Sequence, residues 1–334
     1  MGGRLDIIDR HILEELSLNS RMLATKLAKK TRLSKQALQY RMQRMESGGV
    51  VNAYITYVDW AKLGFIRCQM IIKHTPISDA SYAKIMEKCR AEDAVHITRC
   101  DGEWNMLVGY LARTHREIYE KSNRIRQAFG AHMLHWRTAT IVDVSVKSMP
   151  SYFNEKDSGM LIGTLGKDGA VYNADEKDIL ILKALATDAR APYAKLAAAT
   201  KLPPETVRFR MKRLEKEKVI VSYGVSINPE LEGFNHFMVL VRFSNPDNKK
   251  IDELIRFVLA IPKTRRVARL VSTVDLMYEV RAKDEKEIRA IKDSVDAKFE
   301  GIIQAQNVLR MYGENLFAFF PPLQNSRKKQ GKPK

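Results

Sequence analysis

Two sets of side chains in this sequence have the types and spacing needed to read the edges of base pairs. The first is Lys35, Gln36, Gln39, Tyr40, Gln43 and Arg44, spaced so that a helix would carry them on one side. A glutamine amide can form paired hydrogen bonds with an adenine edge, and an arginine guanidinium can do the same with guanine. The ring of Tyr40 can touch a thymine methyl or a sugar. The second set, Glu205, Arg208, Phe209, Lys212 and Arg213, repeats the spacing 169 positions further along. On the other side of each helix lie Leu38, Met42 and Met45, or Val207, Met211 and Leu214, which are expected to be core. Arg41 and Arg210 fall nearer those apolar stripes. A structural role is expected for them, pairing with a carboxylate of the first helix.

The charge around these sets is of one sign. From Leu16 to Met45 there are eight basic residues and no acid; from Arg190 to Arg213 there are seven against Glu205 alone. A solvated helical face mixes both signs, whereas contact with phosphates favours one. The whole chain of 334 residues carries 57 Lys+Arg against 39 Asp+Glu, a formal charge of +18, which points to a polyanionic partner. Double-stranded DNA is the partner expected.

Other chemistries find less support. The three cysteines, Cys68, Cys89 and Cys100, have neither disulfide-framework nor zinc spacing. No catalytic triad, phosphate loop or metal-ligand spacing stands out, so neither enzyme activity nor a cofactor or metal is expected. No apolar run approaches the ~18–20 residues of a membrane span, and the N-terminus lacks a signal-peptide apolar region. A cytoplasmic protein without a membrane partner is the expectation.

The elements that must position the two sets follow from periodicity. Asp6 and Asp9 resemble a helix cap and a first-turn acid ahead of Ile12, Leu13 and Leu16. A short second helix, a Thr31-Arg32-Leu33 turn and a Ser34-capped third helix follow, and then a strand over 50–58. The second copy repeats this from Asp175, with Pro203-Pro204 at the start of its third helix. After each helical part comes strand–helix–strand–strand–helix–strand, the ferredoxin-like order. The fold class is therefore α+β: two winged helix-turn-helix domains, each followed by a ferredoxin-like βαββαβ domain. The domains are expected at 1–60, 61–150, 174–230 and 231–322. Residues 151–173 would be a linker, flexible or with a small hairpin, and 323–334 a basic disordered tail.

The pattern Asp-x-x-Asp, then Leu-Ala before a Ser-capped helix, then Arg41-Met-x-Arg-Met-Glu and Gly49-Val-Val carries a resemblance. Copy two has Arg208-Phe-Arg-Met-Lys-Arg-Leu-Glu and Gly233-Phe234 in the matching places. Both resemble the leucine-responsive/asparagine-operon (Lrp/AsnC) regulators of archaea and bacteria, over nearly the whole chain. The resemblance implies a winged helix and a ferredoxin-like domain that dimerises, with amino-acid binding in many members. Asp101, Gly102, Trp104, Asn105 and Asp275 are the effector-binding candidates it supplies. The family's glycine turn survives as Gly102-Glu103-Trp104-Asn105 but becomes Ser272-Thr273-Val274-Asp275 in copy two. Ordinary members carry one such unit per chain; this chain carries two.

The function expected is a sequence-specific transcription regulator that acts as a fused pseudo-dimer and responds to an amino-acid effector. Because the two reading sets differ, unlike half-sites are expected. Two alternatives remain open at this level. One is an enzyme of the same plan, since some proteins resembling these regulators decarboxylate sirohaem. The other is an architectural protein that coats DNA. The free face or edge of a ferredoxin-like sheet also suggests self-association.

Overall fold

A computed structural model describes residues 5–148, 159–167, 169–228, 233–244 and 247–321. The expected basic tail at 323–334 and the first part of the expected linker, 151–158, lie outside the described residues.

Each copy begins with three helices: α1 (Ile7–Leu18), α2 (Ala24–Lys30) and α3 (Lys35–Ser47), then α6 (Glu176–Thr187), α7 (Tyr193–Thr200) and α8 (Pro204–Lys216). The Asp6 carboxylate accepts the Asp9 N–H, and the Asp9 side chain accepts the Asp6 N–H, a reciprocal cap on α1. Ser34 caps α3 through the Ala37 N–H, while Pro204 opens α8, where no donor is needed. Ile12, Leu13, Leu16, Leu38, Met42 and Met45 form the core of the first head. The turns before α3 and α8 place Arg32 and Lys201 at φ 55°, a left-handed conformation that few non-glycine residues adopt.

The strand after each third helix does not stay within its own head. β1 (Val51–Val58) pairs antiparallel with β7 (Ile220–Ile227) of the other copy. Ile55 lies opposite Gly224, its own counterpart 169 positions on. An antiparallel pair centred on equivalent residues is a local two-fold axis. The expected wing is thus a strand shared between the heads.

The rest of each copy follows the expected order. The first half has β2 (Ile66–His74), α4 (Asp79–Ala91), β3 (Ala94–Asp101), β4 (Met106–Ala112), α5 (His115–Phe129) and β5 (Met133–Lys147). The second has β8 (Asn235–Phe243), α9 (Asn248–Ala260), β9 (Thr264–Val271), β10 (Leu276–Ala282), α10 (Glu285–Lys298) and β11 (Ile303–Phe317). The helices cover one face of each sheet through separate apolar layers. The sheets then join at both edges, β3 to β11 and β5 to β9. Because β5 also pairs with β2, the strands run β2-β4-β3-β11-β8-β10-β9-β5 and return to β2. The sheet edge expected to pair with a second such domain thus pairs with the other copy inside the chain.

The stretch between the copies is more than a linker or a self-contained hairpin. β6 (Leu161–Leu165) adds to β5, with Val144 opposite Leu165. At Gly166, φ is +87° and a Cβ would lie 2.6 Å from the Val142 carbonyl oxygen and 2.8 Å from Trp60 Cζ2. The Gly166 N–H donates to the Asp59 carboxylate at 2.9 Å, and the Tyr172 N–H to the Lys62 carbonyl at 2.7 Å. The segment is laid onto the first copy before the second begins.

Gly224 has its own requirement. A Cβ there would lie 2.7 Å from Tyr57 Cε2 and 2.8 Å from its hydroxyl, and Tyr57 is buried. Gly224→Ala should therefore destabilise the paired heads by about 1–3 kcal/mol, the usual range for overpacking. Urea titration of the variant checks this, and an unchanged midpoint would contradict it.

Candidate nucleic-acid interface

Both reading faces are open. Lys35, Gln36, Gln39, Tyr40, Gln43 and Arg44 are exposed on α3, and Glu205, Arg208, Phe209, Lys212 and Arg213 on α8. Tyr40 is 68% exposed and Phe209 69%, unusual for rings without a partner surface. Leu38, Met42 and Met45, like Val207, Met211 and Leu214, are buried as their spacing required.

The cations divide into those that can meet a ligand and those already engaged. Arg41 Nη1 lies 2.7 Å from Asp6 and 2.8 Å from Asp9, and Arg210 Nη1 lies 2.8 Å from both Asp175 and Asp178. These are the helix-1 carboxylates that sequence pointed to. Arg44 and Arg213 share them: Arg44 pairs with Asp9, and Arg213 Nη2 lies 2.9 Å from Asp178 Oδ2. Asp9 and Asp178 are fully buried, so each third helix is clamped to the first by a carboxylate holding two guanidiniums. Arg44 and Arg213 are thus half-exposed cations that also position the reading helix. Arg208 and Glu205 pair with each other at 2.8 Å on the surface of α8. Lys26, Lys29, Arg32 and Lys35 remain exposed and carry no ion pair among the described residues.

Arg21 and Arg190, counted among the one-signed basic residues, serve a different purpose. Arg21 Nη1 donates to the carbonyls of Ala189 at 2.6 Å and Ala191 at 2.9 Å, and Arg190 Nη1 to the Ser20 carbonyl. Each guanidinium also lies near the other head's tyrosine, Arg21 5.5 Å from the Tyr223 ring and Arg190 5.2 Å from Tyr54. The Ser20 N–H donates to the Tyr223 carbonyl, and the Ala189 N–H to that of Tyr54. Tyr54 and Tyr223 in turn donate to Glu46 and Glu215 at 2.6 Å. Burial, then these carboxylates, push both phenols far above their ordinary pKa, so they stay neutral donors. A two-fold set of contacts therefore fixes one head against the other. Its only sequence signal was that both arginines recur in register.

The effector candidates occupy two equivalent turns, β3–β4 and β9–β10. Asn105 Oδ1 accepts the His74 N–H at 3.0 Å and its amide donates to the His74 carbonyl at 2.8 Å. Asp275 Oδ2 accepts the Phe243 N–H at 2.8 Å, the matching contact in the second half. Trp104 is buried, the Gly102 carbonyl accepts from Lys73 at 3.1 Å, and Asp101 is exposed at the end of β3. The side chains of Asn105 and Asp275 are thereby committed to neighbouring backbone and not directed to a shared ligand position. Among the described residues, no group of three His, Cys, Asp or Glu is arranged to hold a metal, and no helix is long and apolar enough to cross a membrane.

Comparison with known proteins agrees with this geometry. Residues 5–52 match a family described as winged helix-turn-helix DNA-binding, and residues 175–215 match the AsnC-type helix-turn-helix domain. The chain is 30% identical over 124 residues to the HTH-type transcriptional regulator AldR of Mycolicibacterium smegmatis, covering 37% of this chain and 72% of AldR. It is 28% identical over 130 residues to the HTH-type transcriptional regulator LrpA of Pyrococcus abyssi, covering 38% and 89%. Among solved structures, the siroheme decarboxylase NirDL aligns with a TM-score of 0.59 over 94% of both chains, at 11% identity. That likeness is one of fold: it shares the duplicated plan.

The clamp carboxylates generate a pH dependence. The Asp178 N–H, and after it the Arg210 guanidinium, hold the Asp175 carboxyl below the usual carboxylate range against the opposing effect of desolvation. A depressed carboxylate contributes stability that is present above its unfolded pKa, about 3.9, and lost as pH falls through the folded value. Thermal melts from pH 7 to pH 3 should therefore show Asp175→Asn losing less stability on acidification than the parent chain. Parallel pH profiles for the two proteins would contradict the assignment.

Proposed function

We propose that this chain, which belongs to the Lrp/AsnC family of DNA-binding helix-turn-helix transcriptional regulators, engages one DNA duplex with both heads at once. One polypeptide then does what a symmetric dimer does elsewhere: it offers two third helices to successive major grooves, about 34–36 Å apart. The observation that carries this reading is the pairing of β1 with β7 about a local two-fold axis, with both reading faces left exposed. Lys35 on α3 and Lys212 on α8 are suited to phosphates or base edges at the two ends of the site. Exposed Lys26, Lys29 and Arg32 extend the positive surface beside α3.

The heads would read different sequences. On α3 the reading residues are the neutral Gln36, Gln39, Tyr40 and Gln43; on α8 their counterparts are Glu205, Arg208, Phe209 and Lys212. Glutamine favours adenine edges, whereas arginine favours guanine and a carboxylate favours the cytosine amino group. The natural site would then combine two unlike half-sites, which a symmetric dimer has no means to demand.

Selection from random duplexes tests this directly. The parent chain should enrich an asymmetric site. The combined variant Glu205→Gln, Arg208→Gln, Phe209→Tyr and Lys212→Gln should enrich a palindrome built from the half-site of the first head. Enrichment of perfect palindromes by the parent, or of nothing by either protein, would overturn the reading. Binding should also weaken by orders of magnitude between about 50 and 200 mM salt, as neutralisation of several phosphates requires.

A further inference from the structure

The inside of the closed eight-stranded sheet is unlike its outer layers. The faces that turn toward the helices carry the two apolar layers, whereas the interior holds Arg67, His96, His236, Arg266, Glu279 and Arg281, all more than nine-tenths buried. An eight-stranded closed sheet has an interior that is either filled by side chains or wide enough for one small ligand.

Part of this charge is matched by Glu279. Glu279 lies 2.6 Å from His236 Nε2 and also pairs with Arg266. Burial opposes its ionisation, yet these partners keep its carboxyl well below the ordinary range. Arg281 Nη2 donates to the Ile227 carbonyl at 3.1 Å, and His96 Nε2 lies 2.6 Å from the Thr98 hydroxyl.

Arg67 is the least engaged of these groups. Its Nε and Nη1 have no hydrogen-bond acceptor, and it has no ion pair among the described residues. The guanidinium carbon lies 5.3 Å from the Trp60 ring and 5.1 Å from that of Phe319. Those aromatic contacts hold the group in place but leave its N–H groups unused. Burial, and then the like charge of Arg266, pull its pKa down to about 9, so at neutral pH it remains a cation. The repeat shows what is missing. Gly109 and Glu279 are the fourth residues of the seven-residue strands β4 and β10, so the carboxylate that balances the second half has glycine as its counterpart in the first.

An isolated buried cation beside a second cation is strongly unfavourable unless an anion accompanies it. We propose that the interior of the closed sheet binds a small organic carboxylate, with the Arg67 guanidinium as its principal hydrogen-bond donor. A carboxylate meets a planar guanidinium through paired N–H···O bonds, which makes it the anion best shaped for this group. The rings of Trp60 and Phe319 favour an apolar remainder on the same molecule. The site is separate from both reading helices and does not depend on the DNA-binding reading.

The test titrates the full chain with sodium acetate, propionate and benzoate, against sodium sulfate at matched ionic strength, and follows Tm. At least one monocarboxylate should raise Tm saturably where sulfate does not. Its apparent affinity should fall tenfold or more in Arg67→Met, and likewise in Arg67→Gln. A second readout needs only the parent chain: in spectra with 15N-labelled arginine, one Nε–H resonance should move along the same saturation curve. The proposal is overturned if no monocarboxylate shifts Tm beyond sulfate. It is equally overturned if the shift survives both substitutions, or if no arginine resonance follows it.

Discussion

The rest of the structure depends on the antiparallel pairing of β1 with β7. Because equivalent residues Ile55 and Gly224 face each other at its centre, the pairing imposes a two-fold axis on copies that are no longer identical. Backbone hydrogen bonds enforce this symmetry without reference to side chains, so the surfaces of the heads are free to diverge. Tyr57 packs where Gly224 has no side chain, and the Arg21 and Arg190 contacts tie each head to the backbone of the other. The edge pairings β3–β11 and β5–β9 repeat the same two-fold relation below. Fusion thereby converts an encounter between two molecules into a fixed arrangement within one.

Within each head the decisive interaction is a buried carboxylate shared by two arginines. Removing one partner of such a pair typically costs about 3–5 kcal/mol, because the remaining charge is left buried. That exceeds the ~0–1 kcal/mol of an exposed pair such as Glu205–Arg208. The Asp9 and Asp178 clamps therefore set the orientation of the reading helices, whereas the surface pair leaves its side chains available to a ligand. Arg44 and Arg213 belong to both categories, so an alanine there would disturb helix position as well as any contact with a duplex.

Much of this was legible in the sequence, for reasons that can be traced to particular residues. The recurrence of Asp6, Arg21, Arg41 and Arg44 in one register revealed the duplication. Periods of 3.6 and 2 located the helices and most of the strands to within a few residues. The exposed faces of α3 and α8 followed from the apolar stripes opposite them. What escaped was long-range. Arg21 and the Ala189 carbonyl are 168 positions apart, β1 and β7 belong to different copies, and β6 lies in a segment with few core candidates. Local pattern says that a strand exists but not which strand it will pair with. The matched and unmatched charges inside the closed sheet were hidden for the same reason, since Arg67, Arg266 and Glu279 sit in strands that read as ordinary alternation.

The central claim is that one rigid pair of heads meets one face of a double helix. The most direct measurement is affinity for a duplex carrying both half-sites, with the spacer between them lengthened one base pair at a time. The account predicts a single optimum, a steep loss when about half a helical turn is added, and recovery near a full turn, about 10 base pairs. Affinity indifferent to spacer length would mean that the heads bind independently, and would contradict it.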